Sequence, residues 1–307
     1  MEILLNWLGT LPGAVGQGLV WGIMAIGLYI TFKVLDVADL TVDGSICTGA
    51  AVCTVLITSG VNVWLAIICA VAAGMIAGLV TGLLHTVLGI PAILAGILTQ
   101  LMLWSVNLIV MGGKANIALS RFKYGDKVLI SAGSSEIYTT LAVLLAFVAV
   151  IVGLLYWFFG TELGMSLRST GNNIEMSRAQ GINTNFTKVF GLALSNGIVA
   201  LAGALLAQQQ GAADINMGRG AIVIGLAAVI VGEALFQKKT TNFALRLLFV
   251  VCGAIIYWLV FQTVIFIGLP NELLKMLSAI VVALFLGVPY LKSHVVKNKK
   301  KGVNKNA

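Results

Sequence analysis

Residues 161–185 read TELGMSLRSTGNNIEMSRAQGINTN, a polar segment between two long apolar runs of the 307-residue chain. Only 10% of the chain is charged, yet this segment holds Glu162, Arg168, Glu175 and Arg178. Each flanking run has the roughly 20 apolar residues that a helix needs to cross a bilayer. A polar segment between two such runs is typical of a loop that leaves the membrane, so the segment predicts a membrane fold.

The composition points to the same class. Hydrophobic residues make up 59% of the chain and the mean hydropathy is +1.03. Soluble domains are about 45–50% apolar and about 25% charged, so a soluble fold of this length could not bury so much apolar surface. Long unbroken apolar runs also differ from the alternating strands, about 10 residues long, of a membrane barrel. We therefore expect an all-α fold, a polytopic membrane helical bundle.

The apolar runs predict about nine transmembrane helices. Residues 1–10 are too short to span, and Trp7 predicts that they lie at the interface. We expect one transmembrane domain over 1–291, with 161–185 as its cytoplasmic loop, followed by a basic tail over 292–307. The predicted spans are 11–32, 38–58, 62–84, 90–111, 139–159, 187–208, 218–236, 246–267 and 272–291.

Basic residues indicate the orientation. Six of the 19 lysines and arginines lie in the tail after the last apolar run. With that tail and the 161–185 loop inside, 13 basic residues are cytoplasmic and 6 are external, as the positive-inside rule requires. The net charge of +8 is thus explained by a flank near anionic lipid, and we expect no nucleic-acid partner.

The two halves of the chain resemble each other. A shift of 175 residues places Ala38-Asp39 on Ala213-Asp214, and a shift of 179 places 89–91 (GIP) on 268–270 (GLP). Five spans separate the copies, so the second copy would be inverted in the membrane. Inverted repeats with broken helices at their interface recur in transporters. Chance similarity between apolar spans is the alternative.

Small residues predict close helix packing. Gly74, Gly78 and Gly82 lie four apart on one face of the third span, and Gly18 and Gly22 do so on the first. Helices in lipid associate where glycines let two backbones approach. This pattern predicts a tight bundle and says nothing about the solute.

Acidic residues interrupt the second span. Asp36, Asp39 and Asp43 recur at spacings of three and four, which would place them on one helical face. One interpretation is a polar break in the second helix that lines a cavity, since charges deep in a bilayer are usually functional. The other is that the acids lie in the first turn of a helix and cap its free N–H groups.

Further polar groups lie within or beside the apolar runs. Gln100 and Asn107 share a helix face, where amides either bond across helices or contact a polar solute. Asp214 lies at the predicted outer face and Glu233 near the inner one, within reach of water or Lys238. The candidate substrate pathway is therefore Asp39, Asp43, Gln100, Asn107 and Asp214. We expect no metal site and no cofactor, since no ligand spacing or phosphate-binding loop occurs.

Several motifs resemble one family. Residues 164–173 (GMSLRSTGNN) and 177–183 (SRAQGIN) are similar to the cytoplasmic loop of ABC importer permeases, in the branched-chain amino acid and ribose/galactose permease family. Residues 38–45 (ADLTVDGS) resemble the polar break in that family's second span. The runs 89–92 (GIPA) and 201–204 (LAGA) resemble the start of its fourth span and a step in the span after the loop. The resemblance covers nearly the whole chain in order.

The resemblance implies a transport subunit and not an enzyme, in the bacterial plasma membrane with a cytoplasmic C-terminus. Its implied partners are two ATP-binding subunits, an extracellular solute-binding protein and a second permease copy, with a homodimer as the expected form. The loop would contain a coupling helix that docks on the ATPase, bounded by Gly171 and Gly181. The residues assigned to this coupling are Gly164, Arg168, Gly171, Asn172, Asn173, Glu175, Arg178, Ala179 and Gly181.

The solute is expected to be small and polar, in first place an amino acid, and the chain resembles a subgroup with aromatic amino acid substrates. A ribose, galactose or nucleoside permease is an alternative within the family. An ion-coupled secondary carrier, or a membrane scaffold without transport, is an alternative outside it. Glu233 departs from the family, which often has a second glycine after the position of Gly232.

Overall fold

The computed structural model describes residues 2–119, 128–130, 137–236 and 242–266, with isolated positions at 276, 279, 280, 283 and 287. This part of the chain forms an all-α bundle of ten α-helices, with one π-helical turn (Ile30–Val34) and two three-residue strands. The elements in order are α1 (Glu2–Tyr29), α2 (Val42–Thr58), α3 (Val63–Thr86), α4 (Ala92–Val110), β1 (Asn116–Ala118), α5 (Ile137–Phe158), α6 (Glu162–Asn172), α7 (Ile174–Ala179), α8 (Thr184–Gln210), β2 (Ala212–Asp214), α9 (Ala221–Phe236) and α10 (Phe243–Phe266).

Six of these helical segments are long and apolar enough to cross a membrane. They are Gly9–Val34, Val63–Thr86, Ala92–Val110, Ile137–Phe158, Thr184–Gln210 and Phe243–Phe266. The predicted spans 38–58 and 218–236 correspond to the shorter apolar helices α2 and α9. The ninth prediction, 272–291, falls almost entirely outside the described residues, as does the basic tail.

The amino end is continuous with the first span. α1 begins at Glu2 and runs without interruption to Tyr29, and the segment long and apolar enough to cross a membrane begins at Gly9. Pro12 lies inside this helix. A proline is tolerated in a membrane helix because neighbouring groups satisfy the freed backbone carbonyl.

The glycine stripes make the contacts that their spacing predicted. Gly74, Gly78 and Gly82 of α3 lie directly against the α8 backbone between Val189 and Ala200. Gly18 and Gly22 of α1 lie in the same way against Ile255 and Val251 of α10. A Cβ at these positions would meet atoms of the neighbouring helix, so glycine sets how closely the helices approach. Of the six long segments, α1 and α8 are the most deeply enclosed.

Two irregular segments precede the short helices. Residues 35–41 separate the π-helical end of α1 from α2, and residues 211–220, which include β2, separate α8 from α9. β2 pairs antiparallel with β1, with Asn116 opposite Asp214 and Ala118 opposite Ala212. The amino ends of α2 and α9 meet, because Gly218 lies against the backbone of Asp43.

The three acids do not share one helical face, contrary to the sequence prediction. Asp36 has a left-handed backbone (φ 55°) and Asp39 lies in the irregular segment, whereas Asp43 lies in the first turn of α2. Because residues 36–41 are not helical, a spacing of three and four residues does not place these three acids on one face. The polar break exists, but it lies before α2 and not within it.

Candidate functional site

A cavity of about 320 Å³ lies beside the amino end of α2. It collects three of the five predicted pathway residues, Asp43, Gln100 and Asn107. Apolar and charged neighbours complete its wall, namely Gly44, Cys47, Leu101, Trp104, Ile215 and Arg219. The cavity therefore lies between the start of α2, the helix α4 and the irregular segment before α9.

Asp43 caps a different helix from its own. Its Oδ1 accepts a hydrogen bond of 2.9 Å from the Ile222 N–H, and its Oδ2 accepts one of 3.0 Å from the Gly220 N–H. These N–H groups lie at the start of α9, where a helix leaves its first donors unsatisfied. Asp43 therefore caps a helix and also lines a cavity, the two roles that the sequence offered as alternatives, but the helix that it caps is α9 and not α2. Its partners are 177 and 179 residues away, which local sequence cannot indicate.

Gln100 and Asn107 lie on one face of α4 and line the same cavity, as their spacing indicated. Asn107 is only 1% exposed, and no described residue donates to its Oδ1. Trp104 lies between them on the same face, and sequence reasoning missed it. Its position, four residues after Gln100 and three before Asn107, is the signal that could have found it.

Asp39 is buried away from this cavity. Its Oδ2 accepts a 2.7 Å hydrogen bond from Asn196 Nδ2, and its Oδ1 accepts one of 2.9 Å from the Thr41 N–H. Asn196 also accepts from the Ser45 hydroxyl at 2.6 Å, and the Thr41 hydroxyl lies 2.7 Å from that of Thr81. This network ties the segment before α2 to α3 and α8, with Asp39 at its centre.

Asp214 also lies outside the cavity wall. Its Oδ2 accepts from Asn116 Nδ2 at 3.3 Å and its Oδ1 from the Asn216 N–H at 2.7 Å. These contacts hold β2 on β1 and shape the turn that follows. Asp214 therefore positions the neighbouring residue Ile215, which does line the cavity.

The polar segment 161–185 folds into two short helices, not one. The Thr161 hydroxyl accepts from the Gly164 N–H at 3.4 Å and caps α6. Asn173 has an extended backbone between the helices, and its Oδ1 accepts from the Met176 N–H at 3.0 Å to cap α7. A short helix, α7, thus lies between Gly171 and Gly181, as the sequence predicted. Gly171 itself belongs to the last turn of α6, and Gly181 follows α7 with φ +83°, which fits a helix terminus.

Gly164 and Gly171 are packing residues. Gly164 lies against the backbone of Phe158 and Phe159, and Gly171 lies against the Val34 carbonyl at the π-helical end of α1. A side chain at Gly171 would collide with that carbonyl. The glycine at 171, in the last turn of α6, therefore permits the close contact with α1.

Arg168 lies over two aromatic rings. Its guanidinium carbon is 4.2 Å from the Phe243 ring centroid and 5.5 Å from that of Phe159, distances typical of cation–π contacts. Partial burial lowers the pKa of this guanidinium, but arginine remains charged in proteins. Arg168 thus links α6 to the start of α10.

The second half of the segment faces outward. Arg178 donates from Nε to the Thr184 hydroxyl at 3.0 Å and lies 3.7 Å from Glu175, whose side chain is 85% exposed. Ala179 and Gly181 are also exposed. The segment also has solvent-exposed apolar side chains, namely Leu163, Met165 and Met176. Charged and apolar groups therefore share one accessible surface, which we call the α6–α7 surface.

A second cavity, of about 360 Å³, lies beneath α6. Its lining includes the cations Lys33, Arg168 and Arg246 with Asn172. Lys33 at the end of α1 pairs with Glu233 of α9 at 2.8 Å. The sequence placed Glu233 within reach of water or Lys238; Lys238 lies outside the described residues, and the described partner is Lys33. Basic residues thus gather at the end of the bundle that carries the polar segment.

Comparison with known proteins identifies the family of this chain. The family model for the permease component of the branched-chain amino acid transport system matches residues 11–286. The chain belongs to this family. It is the permease component of a branched-chain amino acid-type ABC transporter, a multi-pass membrane protein and not an enzyme. Membership implies an ATP-binding partner subunit and a place in the cell membrane.

Relatives of the permease cover most of its length. It is 39% identical over 289 residues to the tyrosine transport system permease protein of Clostridioides difficile, with 94% of each chain covered. It is 34% identical to an uncharacterized protein of Rickettsia prowazekii, covering 91% of the permease and 96% of the relative. It is 26% identical to the autoinducer 2 import system permease protein LsrC of Salmonella paratyphi B, covering 68% of the permease and 59% of the relative. No solved structure matches.

Proposed function

We propose that this permease translocates an amino acid of the tyrosine class, delivered by an extracellular solute-binding protein and driven by two ATP-binding subunits. The observation that carries the proposal is the α6–α7 surface, which is exposed on one side and locked into the bundle on the other. A conformational change in an ATPase bound to this surface would be transmitted to α1 through Gly171 and to α10 through Arg168.

The coupling residues divide into two groups in this proposal. Gly164, Arg168 and Gly171 transmit force, because each contacts a neighbouring part of the bundle. Asn173 fixes the angle between the two helices through its cap on α7. The residues offered to the ATPase are the exposed ones, namely Asn172, Glu175, Arg178, Ala179 and Gly181.

We further propose that α2 and α9 are the equivalent broken helices of an inverted repeat within about nine transmembrane helices. Both follow an irregular segment, both are short, and their amino ends meet at Asp43. Discontinuous helices that meet in this way surround the solute sites of many transporters. The cavity lined by Asp43, Gln100 and Asn107 is then part of the pathway, with Asp39 and Asp214 as its supports.

The amino acid class is favoured over the alternatives by two facts. A relative that is 39% identical over 94% of the permease is named for tyrosine transport. The cavity also combines Arg219 with the ring of Trp104, which suits a carboxylate and an aromatic side chain. A ribose, galactose or nucleoside would leave Arg219 without a carboxylate.

The cell-membrane orientation in this proposal places the α6–α7 surface and the basic tail in the cytoplasm. Lys33, Arg168 and Arg246 gather at the same end of the bundle as that surface, as the positive-inside rule requires of a cytoplasmic face. A homodimer is the expected assembly. An ion-coupled carrier would need no such docking surface.

The test is ATP-driven uptake in proteoliposomes that contain the permease, its ATP-binding subunit and its solute-binding protein. Labelled tyrosine should accumulate only with ATP and the solute-binding protein. Uptake that instead follows an ion gradient without ATP would refute the proposal and support the secondary carrier. Arg168→Ala should abolish ATP-driven uptake, whereas Glu175→Gln, at an 85% exposed side chain, should reduce it less.

A further inference from the structure

The wall of the cavity combines an aromatic ring and a buried acceptor from α4 with a charge from the segment before α9. Trp104 and Asn107 lie one helical turn apart on the same face of α4, and Arg219 enters from the segment before α9. The cavity volume of about 320 Å³ lies at the lower end of the roughly 300–1,000 Å³ of small-molecule sites. Its size therefore suits one small solute.

Asn107 is the unusual member of this wall. Its side chain is 1% exposed, and its Oδ1 receives no hydrogen bond from any described residue. Buried polar atoms in proteins nearly always have a partner, so an orphaned acceptor beside a cavity needs an explanation. A solute that brings a hydrogen-bond donor into the cavity would provide one.

Asp43 is not free to take that role. Both of its carboxylate oxygens already accept backbone N–H groups, from Ile222 and Gly220. The wall therefore offers Asn107 as a buried acceptor, Arg219 as a cation and the Gln100 side chain as a further polar group. A sugar, which carries no charge, would leave the cation Arg219 unmatched.

We propose that this cavity selects the phenol of a tyrosine-like solute: the Trp104 ring packs on the solute ring and Asn107 Oδ1 accepts its O–H. Arg219 pairs with the solute carboxylate. Phenylalanine lacks the donor and leaves Asn107 unpaired, so the site discriminates between two solutes of nearly equal size. A site built to bond a hydroxyl rejects the analogue without it. This inference rests on the proposed function and adds the residues that set its specificity.

The experiment measures uptake by the complete transporter with solute-binding protein saturated with tyrosine or with phenylalanine. Saturation removes the selectivity of the binding protein from the comparison. We expect tyrosine uptake to exceed phenylalanine uptake by about three- to tenfold, the contribution of one hydrogen bond. Asn107→Leu, similar in shape but without an acceptor, should bring the two rates together.

A matched control removes a polar group from the same helix. Thr99 is buried on α4, but its hydroxyl donates to the Ala95 carbonyl at 3.0 Å and does not line the cavity. Thr99→Val should keep the tyrosine preference. A second arm needs no variant, because O-methyltyrosine keeps the ring and lacks the donor. The wild-type transporter should carry it as slowly as phenylalanine.

The outcomes separate this inference from the proposed function. ATP-driven uptake of both amino acids at equal rates by the wild type, or an unchanged ratio in Asn107→Leu, overturns the phenol subsite alone. ATP-driven uptake of a sugar with no uptake of aromatic amino acids overturns the subsite and the solute class. No ATP-driven uptake of any solute overturns the proposed function itself.

Discussion

Asn196 in the middle of α8 donates a 2.7 Å hydrogen bond from Nδ2 to Oδ2 of Asp39, in the irregular segment before α2. This bond crosses 157 positions of sequence and is completely buried. It fixes the break relative to the most enclosed part of the bundle. The Asn196–Asp39 bond therefore helps to position α2, which lines the cavity, although neither residue lines the cavity itself.

Replacement of Asp39 by alanine should destabilise the permease. The change leaves Asn196 Nδ2 with only its 2.9 Å bond to the Leu192 carbonyl and leaves the buried Thr41 N–H unpaired. Each unsatisfied buried group costs about 1–3 kcal/mol. We expect a lower melting temperature in detergent. Asp36→Asn is the control, because Asp36 is exposed on the same segment. Equal melting temperatures for Asp39→Ala and wild type would contradict this role.

Replacement of Asp43 by asparagine should weaken the start of α9. The amide keeps the size of the side chain, but only one of its two polar atoms can accept, so either Gly220 or Ile222 loses its bond. The loss of a helix cap costs about 0.5–2 kcal/mol. Both thermal stability and ATP-driven uptake should fall, and hydrogen exchange should rise at Gly220 and Ile222. Unchanged exchange at these two amides would show that the cap is dispensable.

The Lys33–Glu233 ion pair should be recoverable by charge exchange. Lys33→Glu places two acids together at the ends of α1 and α9, and the double variant Lys33→Glu/Glu233→Lys restores attraction. Since both side chains are partly exposed, the effect on stability should be about 1 kcal/mol or less, and salt should reduce it. Melting temperature at low and high salt measures this. No recovery in the double variant would contradict a stabilising role for this ion pair.

Two glycine-to-alanine changes form a matched pair. Gly171→Ala places a methyl group against the Val34 carbonyl, whereas Gly153→Ala on α5 meets nothing within 4 Å. We expect Gly171→Ala to reduce ATP-driven uptake strongly by displacing α6 from α1. Gly153→Ala should be neutral or stabilising by about 0.5–1 kcal/mol, since alanine favours a helix over glycine. Wild-type uptake by Gly171→Ala would remove the α6–α1 contact from the mechanism.

Local pattern predicted some features well. The spacing of Gly74, Gly78 and Gly82 identified the α3 face that packs on α8, because a period of four residues stays on one side of a helix. Gln100 and Asn107 were placed on one face of α4 for the same reason. Periodicity works within one regular element, and both predictions lie inside one.

The failures occur where regular structure ends. The spacing of Asp36, Asp39 and Asp43 suggested a helical face, but the backbone leaves the helix at 35–41. Asp43 caps α9 and Lys33 pairs with Glu233 across very long sequence separations, which only the fold brings together. The contact of Gly171 with the Val34 carbonyl was also not predictable from local sequence, because Val34 belongs to the end of a different helix.

The most direct measurement is the composition of the complex that contains this chain in its native membrane. The permease should be purified in mild detergent and its intact complex weighed by native mass spectrometry. We predict a permease associated with an equal number of ATP-binding subunits. Gly171→Ala should weaken or abolish this association, and Gly153→Ala should retain it. A chain that purifies repeatedly without any ATP-binding subunit, in a form that still transports, would contradict the account.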